Sequence, residues 1–273
     1  MNMGQFEPIH DAHAIEQMAL VLQTSSPLDD PRLSAVRKAL DGFAEELPAA
    51  TDLQTLQIGV GIGPIGPIAP GNVNGRSRSR LRADGTFETE LRVDRGSVAF
   101  RTAAYTRWDQ VWAQARKLFD AVVGHYVEGS SIGAIGLTFI DRFYWNGEIS
   151  ECRPDSLFRP ASAYLAPRVY DTSDLWHSHF GAFVRTDEST KRLLNVNCDC
   201  LDESREEGPR RVVVITTAIT DMLNQPGYRS MTFDKDSAKH YFYQHVQQMH
   251  EDSKATFGGL VTDRIIKRVA LFD

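Results

Sequence analysis

The residues around Ala83-Asp84-Gly85 constrain this chain more than any others. Residues 76–82 and 86–93 both alternate side-chain character, and an Asp-Gly pair between two such runs marks a tight hairpin. A second turn at Asp94-Arg95-Gly96 leads into a further strand pattern over 98–104. Strands joined this tightly run antiparallel. The repeated strand–helix alternation of a doubly wound sheet is missing, which leaves the α+β class.

Other segments fill in the order. Residues 13–23 read as a strand that stops at Ser25-Ser26-Pro27. Asp30 before Pro31 reads as an N-cap, and Leu33, Val36, Leu40, Phe43 and Leu47 follow at helical steps. Residues 53–60 suggest a strand and 61–75, rich in Gly and Pro, a loop or irregular edge. Thr106 can cap a second helix with Trp108, Trp112, Ala115, Phe119 and Val122 on one stripe, read as core packing. Residues 132–144 form an apolar strand. Three prolines mark 148–174 as a connector. Strands follow over 175–185, 192–201 and 210–220, then a helix capped by Asp234 or Asp236 and interrupted at Gly258-Gly259. A short helix over 263–269, capped by Thr262, ends the pattern. The expected architecture is therefore α+β: antiparallel meanders packed against a few long amphipathic helices, in two sequential halves. The first, 1–147, reads β-α-β-β-β-α-β; the second, 175–273, reads β-β-β-α-α.

Bulk properties narrow the class. With 30 Lys and Arg against 36 Asp and Glu, the net charge is −6, which disfavours a surface built wholly for duplex DNA. No apolar run approaches the roughly 20 residues of a membrane helix, and no basic segment followed by an apolar stretch opens the chain. The expected setting is cytoplasmic, without membrane partners, and the three cysteines are expected to be reduced thiols. No cofactor is expected: Gly61-x-Gly63-x-x-Gly66 matches a dinucleotide fingerprint as a string, but Pro64 and Pro67 break it and no helix pattern follows.

Four groups of residues carry chemistry. Arg76, Arg78, Arg80 and Arg82 would share one strand face, with Arg92 on the partner strand, and could hold phosphates. The alternative is a solvated face paired with Glu88 and Glu90. His177 and His179, two apart on one strand, and Cys198 and Cys200 on another, would form a tetrahedral zinc site if all four converged. The alternative is a half-buried His pair and small apolar thiols. Asp141 and Arg142 interrupt the apolar strand near its end, marking either a polar site or a structural ion pair. His240, His245 and His250 lie five apart, about 140° per step, so they cannot share a helix face.

One combination of residues goes beyond local pattern. Tyr105-x-x-Trp108, Phe119 and Gly136-Leu137-Thr138-Phe139-Ile140-Asp141-Arg142 join the opening Ala14-Ile15-Glu16 strand and a final helix around Met249-His250 and Phe257. Together they resemble a family of uncharacterised proteins distributed sporadically across bacteria and archaea. That family more often has Arg-Tyr-Ile-Asn where this chain has Thr138-Phe139-Ile140-Asp141. The resemblance implies a cytoplasmic α+β protein without an assigned activity, from accessory genes of the phage-defence or toxin–antitoxin kind.

Three functions compete at this point. The lack of a dense catalytic motif favours a non-catalytic binding or adaptor protein with a protein partner, or a second copy of itself as a homodimer. An exposed apolar patch would support that reading, and a deep pocket with convergent ionisable groups would count against it. The arginine face suggests RNA or single-stranded nucleic acid. A metal-dependent hydrolase would draw on Asp141, His177, His179 and Cys198.

Overall fold

The structure, a computed structural model, describes residues 4–54, 73–128, 131–206, 208–231 and 233–272. Its strands are β1 (Gln5–Pro8), β2 (Ile15–Thr24), β3 (Ala49–Gln54), β4 (Val73–Leu81), β5 (Phe87–Asp94), β6 (Ser97–Thr102), β7 (Ile132–Asn146), β8 (Trp176–Arg185), β9 (Thr190–Glu203) and β10 (Arg210–Leu223). The helices are α1 (Asp30–Asp41), α2 (Trp108–Val127), α3 (Lys235–Leu260) and α4 (Asp263–Arg268). The class is α+β. The ten described strands form a single sheet in the order β3-β4-β5-β6-β2-β7-β10-β9-β8, with β1 paired to the end of β7. Every pairing is antiparallel.

β7 joins the two halves of the chain. β10 follows one of its edges from Ala134 to Tyr144, while β2 and then β1 follow the other. Its odd-numbered side chains from Ile135 to Trp145 are buried, and its even-numbered ones from Gly136 to Tyr144 only half-buried. Strand alternation thus puts one face of the sheet under the helices. There α1, α2 and α3 cover a first apolar core that includes Leu20, Phe100, Phe119, Leu137 and Phe242. A second core, including Phe143, Trp145, Ile215, Phe257 and Ile265, lies toward β1 and α4. The Pro-rich segment 148–174 contributes Cys152, Leu157, Phe158, Leu165 and Val169 to this second core.

Several boundaries differ from the sequence reading, each for a local reason. α1 is capped by Asp29, whose carboxylate accepts from the Arg32 backbone N–H at 2.9 Å; Asp30 is already helical. Thr106 does not cap α2; it bonds the Gln110 side chain, and Arg107 stands at the cap without a side-chain bond. Asp234 caps α3 by accepting from Asp236 and Ser237. Gly258 and Gly259 do not interrupt α3; they let other side chains approach it. A Cβ at Gly258 would lie 3.1 Å from the Phe272 ring, and one at Gly259 3.4 Å from Tyr164. Of the strand expected over 53–60, only the first residues fall in β3; the rest, with the Gly61–Gly63–Gly66 string, lies outside the described residues.

Where α3 crosses β9 and β10, a polar cluster replaces apolar packing. Asp221 is wholly buried and accepts from Arg192 Nε and Nη2 and from His245 Nε2, each at 2.7 Å. Arg192 also reaches Asp252. Burial raises the Asp221 carboxyl, but the Arg192 and His245 bonds outweigh it and hold the group below the usual carboxylate range. Asp221→Ala leaves the half-buried guanidinium without its main partner. It is expected to lower stability by about 3–5 kcal/mol. Arg101→Ala, which breaks an exposed pair with Glu90, is expected to cost less than about 1 kcal/mol. Denaturant midpoints of the two variants check the contrast.

Candidate functional site

A cavity of about 520 Å³ opens where the two cores meet. Its floor is the sheet, through Ile15, Phe139, Asp141 and Thr217; its walls are Tyr105 and Trp108 before and on α2, and His250 and Phe257 on α3. His13 and the C-terminal residues from Val269 to Leu271 complete it. This is within the range of about 300–1,000 Å³ that small organic ligands occupy.

The aromatic walls hold one another. Trp108 stacks on His250 with ring centroids 4.0 Å apart and planes 4° from parallel, and lies parallel to Trp112 at 5.6 Å. Its indole N–H donates to Gln247 at 2.9 Å. Tyr105 meets Phe139 and His13 edge to face at 6.1 and 5.3 Å. A tryptophan fixed by stacking and by its N–H has little freedom to collapse into the space beside it.

Asp141 is the chemical centre. In the sheet it faces Ile15 on one side and Ile215 on the other, with Phe139 and Phe143 two residues away on the same face. No hydrogen bond reaches its carboxyl from the described residues. Burial therefore acts uncompensated and pushes the group up to about 8. The imidazoles shift the other way. Burial, with His10 nearby, holds His13 down at about 4, and burial holds His250 at about 4 despite Glu251. Burial and the Asp141 charge raise the Tyr105 phenol. His13 Nδ1 and Thr217 Oγ1 are buried without hydrogen-bond partners among the described residues, and His250 Nδ1 lies 3.3 Å from the Glu251 carboxylate. Near neutral pH the interior thus offers a protonated acid, two neutral imidazoles and two hydroxyls. Such a set can bind and exchange protons.

The other candidate residues lie elsewhere. Arg76, Arg78 and Arg80 share the helix-facing side of β4, held by local acceptors. Arg76 bonds Asp41 and Asp52 at 2.8 Å, Arg78 bonds Asp41 at 2.9 Å and the Leu47 carbonyl, and Arg80 bonds the Glu45 carbonyl. Arg82 donates to the Ala103 carbonyl. Arg92 stands across β5 opposite Ser77, exposed and without an ion-pair partner among the described residues. The anticipated acids are engaged differently: Glu90 pairs with Arg101, and Glu88 lies 4.0 Å from Arg80.

The expected convergence of histidines and cysteines is corrected by the strand register. Ser178 faces Cys198, so the thiols lie on the buried side, while His177 faces Asp199 and His179 faces Asn197 on the other. The sheet separates the two pairs, and no group of metal-binding side chains occurs among the described residues. His177 instead bonds Asp199 at 2.6 Å, and burial pushes the Cys198 thiol up to about 12 and Cys200 to about 11. Asp141 and Arg142 also part: Arg142 points to the opposite face, where it pairs with Glu16 at 2.9 Å and with Glu203. Arg142 is a structural ion pair and Asp141 a cavity group.

The cavity groups give stability a defined pH dependence. Between about pH 4 and 6.5 the unfolded chain binds protons on both His13 and His250 that the folded cavity excludes, while folded Asp141 keeps one that the unfolded chain loses. Stability from these groups rises with pH across this interval. From 6.5 to about 8 only the Asp141 difference remains, and stability falls. Asp141→Asn is expected to remove that fall. Its advantage over the wild type should grow from pH 4 to pH 8 by on the order of 5 kcal/mol. Melting curves across this range check it; a constant difference would mean that Asp141 titrates normally.

Sequence reasoning singled out Asp141 but not His13, Thr217 or the open space beside them. The chain matches no protein-family model, and no curated protein is similar to it. Of the residues singled out in the sequence for a family resemblance, Ala14, Ile15, Tyr105, Trp108, Phe139, Asp141, His250 and Phe257 line this cavity.

Proposed function

We propose that this protein binds a small organic molecule in the cavity between α2, α3 and the sheet, whose convergent ionisable groups count against an adaptor that works only through a protein partner. The observation that carries the reading is Asp141: a carboxyl buried in the middle of the sheet, without a hydrogen-bond partner among the described residues, opening into a space of ligand size. A small molecule there would fill the volume and hydrogen-bond the carboxyl. The surface gives a protein-only adaptor less support. Among the described residues the large exposed apolar side chains are Leu81, Leu175, Phe183, Val184 and Phe272, of which Phe183 and Val184 adjoin in sequence. Taking up what the resemblance implies, we further propose that such a binding protein serves an accessory system in which occupancy of the cavity is the signal.

The test is native mass spectrometry of untagged protein from its own host, beside Ser253→Phe, which puts a ring into the cavity from α3. Wild-type protein is expected to release one small molecule per chain on denaturation, and the folded variant none. A thermal-shift screen of metabolites on ligand-stripped protein provides a second measurement. The reading falls if the wild type carries nothing and no metabolite stabilises it in a way that Ser253→Phe abolishes.

A further inference from the structure

We propose that the ligand of this cavity is a small organic cation, an ammonium or amidinium group on a compact apolar body, seated with its positive charge against the Asp141 carboxylate. The inference rests on the cavity being a ligand site and adds the class of ligand.

Charge and geometry carry it. Asp141 is the carboxyl on the cavity floor, and no basic side chain pairs with it among the described residues. The cations near the cavity are occupied by other groups. Arg107 donates to the carbonyls of Val269 and Ala270 at 3.4 Å, and Lys254 lies 3.6 Å from Glu251. Above about pH 8 an anionic ligand reaching the floor would meet a second carboxylate, whereas below it protonated Asp141 could donate to an anion, so the cation preference is a property of the ionised site. A cation instead brings the countercharge the fold leaves out. The walls suit it as well: Tyr105, Trp108 and Phe139 line the cavity together with the acid, and aromatic rings attract a desolvated cation.

Seating a cation requires Asp141 to lose its proton. The titratable and charged groups around it are His13 and Tyr105 from the segments before β2 and α2, Arg107 and Asp109 at the start of α2, and His250, Glu251 and Lys254 on α3; His10 lies against His13. With Asp141 titrating at about 8 in the empty cavity, affinity for a cation of fixed charge should drop about 50-fold from pH 8 to pH 6.

The probes are benzyltrimethylammonium, whose charge does not change with pH, benzyl alcohol and benzoate. Binding to the ligand-stripped protein is followed by tryptophan fluorescence and calorimetry, with Ser253→Phe as the blocked cavity. The expected result is that the ammonium binds at least tenfold more tightly than the other two at pH 8. That preference should weaken toward pH 6 and be lost in Asp141→Asn, which keeps its weak affinity for benzyl alcohol. If benzyl alcohol or benzoate binds as tightly as the ammonium in a manner that Ser253→Phe blocks, the cavity reading stands and the cation is overturned. If none of the three binds in the cavity, both are overturned.

Discussion

The pairing of β7 along both edges is the constraint on which the rest of this molecule depends. A strand held by β10 on one side and by β2 and β1 on the other cannot rotate or slip without breaking three ladders at once. Side chains alternate with a period of two, so a shift of one residue would exchange the faces of Asp141 and Arg142. The register instead sends Arg142 to the half-buried face, where Glu16 and Glu203 receive it, and fixes Asp141 under the helices. The acid's properties follow from that placement: Ile15 and Ile215 occupy the flanking positions, and neither can donate a hydrogen bond.

The cavity exists because two cores meet above this strand and neither closes over it. The first gathers α1, α2 and the start of α3; the second gathers α4, segment 148–174 and the end of α3. At the seam the chain places rings instead of branched aliphatic side chains. Trp108, His250, Phe139 and Tyr105 brace one another at fixed angles, and such a cluster holds its shape without filling every gap. An aliphatic seam could repack through other rotamers; this one is held by stacking and by the bond from Trp108 to Gln247.

What the sequence disclosed follows the range of the interactions involved. The hairpin at Asp84-Gly85 and the strands beside it depend on neighbours within a few residues, and their alternation was legible. So was a cap at Asp234 or Asp236, of which Asp234 serves. β1 was not, because four residues at the start of the chain become a strand only by pairing with the far end of β7. Asp141 was legible as an anomaly in an apolar run. Its separation from Arg142 follows from strand alternation, but its partners on α2 and α3 lie far off in sequence and needed the fold. The same alternation puts His177 and Cys198 on opposite faces once the register pairs Ser178 with Cys198, and register is what a sequence does not state. Tyr105, Trp108 and His250 look like ordinary core aromatics because they do pack as core; only the space beside them marks them as a site.

The treatment of charge across the molecule sharpens the meaning of the unpaired acid. Arg76 and Arg78 meet Asp41, Arg192 meets Asp221, Arg211 meets Asp202 and Arg268 meets Glu7. Asp221 shows that this fold can bury a carboxylate completely and still keep it ionised by surrounding it with donors. Asp141 is nearly as buried, on the same face of the same sheet, and receives none. A carboxyl serving only stability gains nothing from such a place, since burial disfavours its charge and no donor among the described residues offsets that. Its position at the floor of an open space makes the missing partner something that enters from outside.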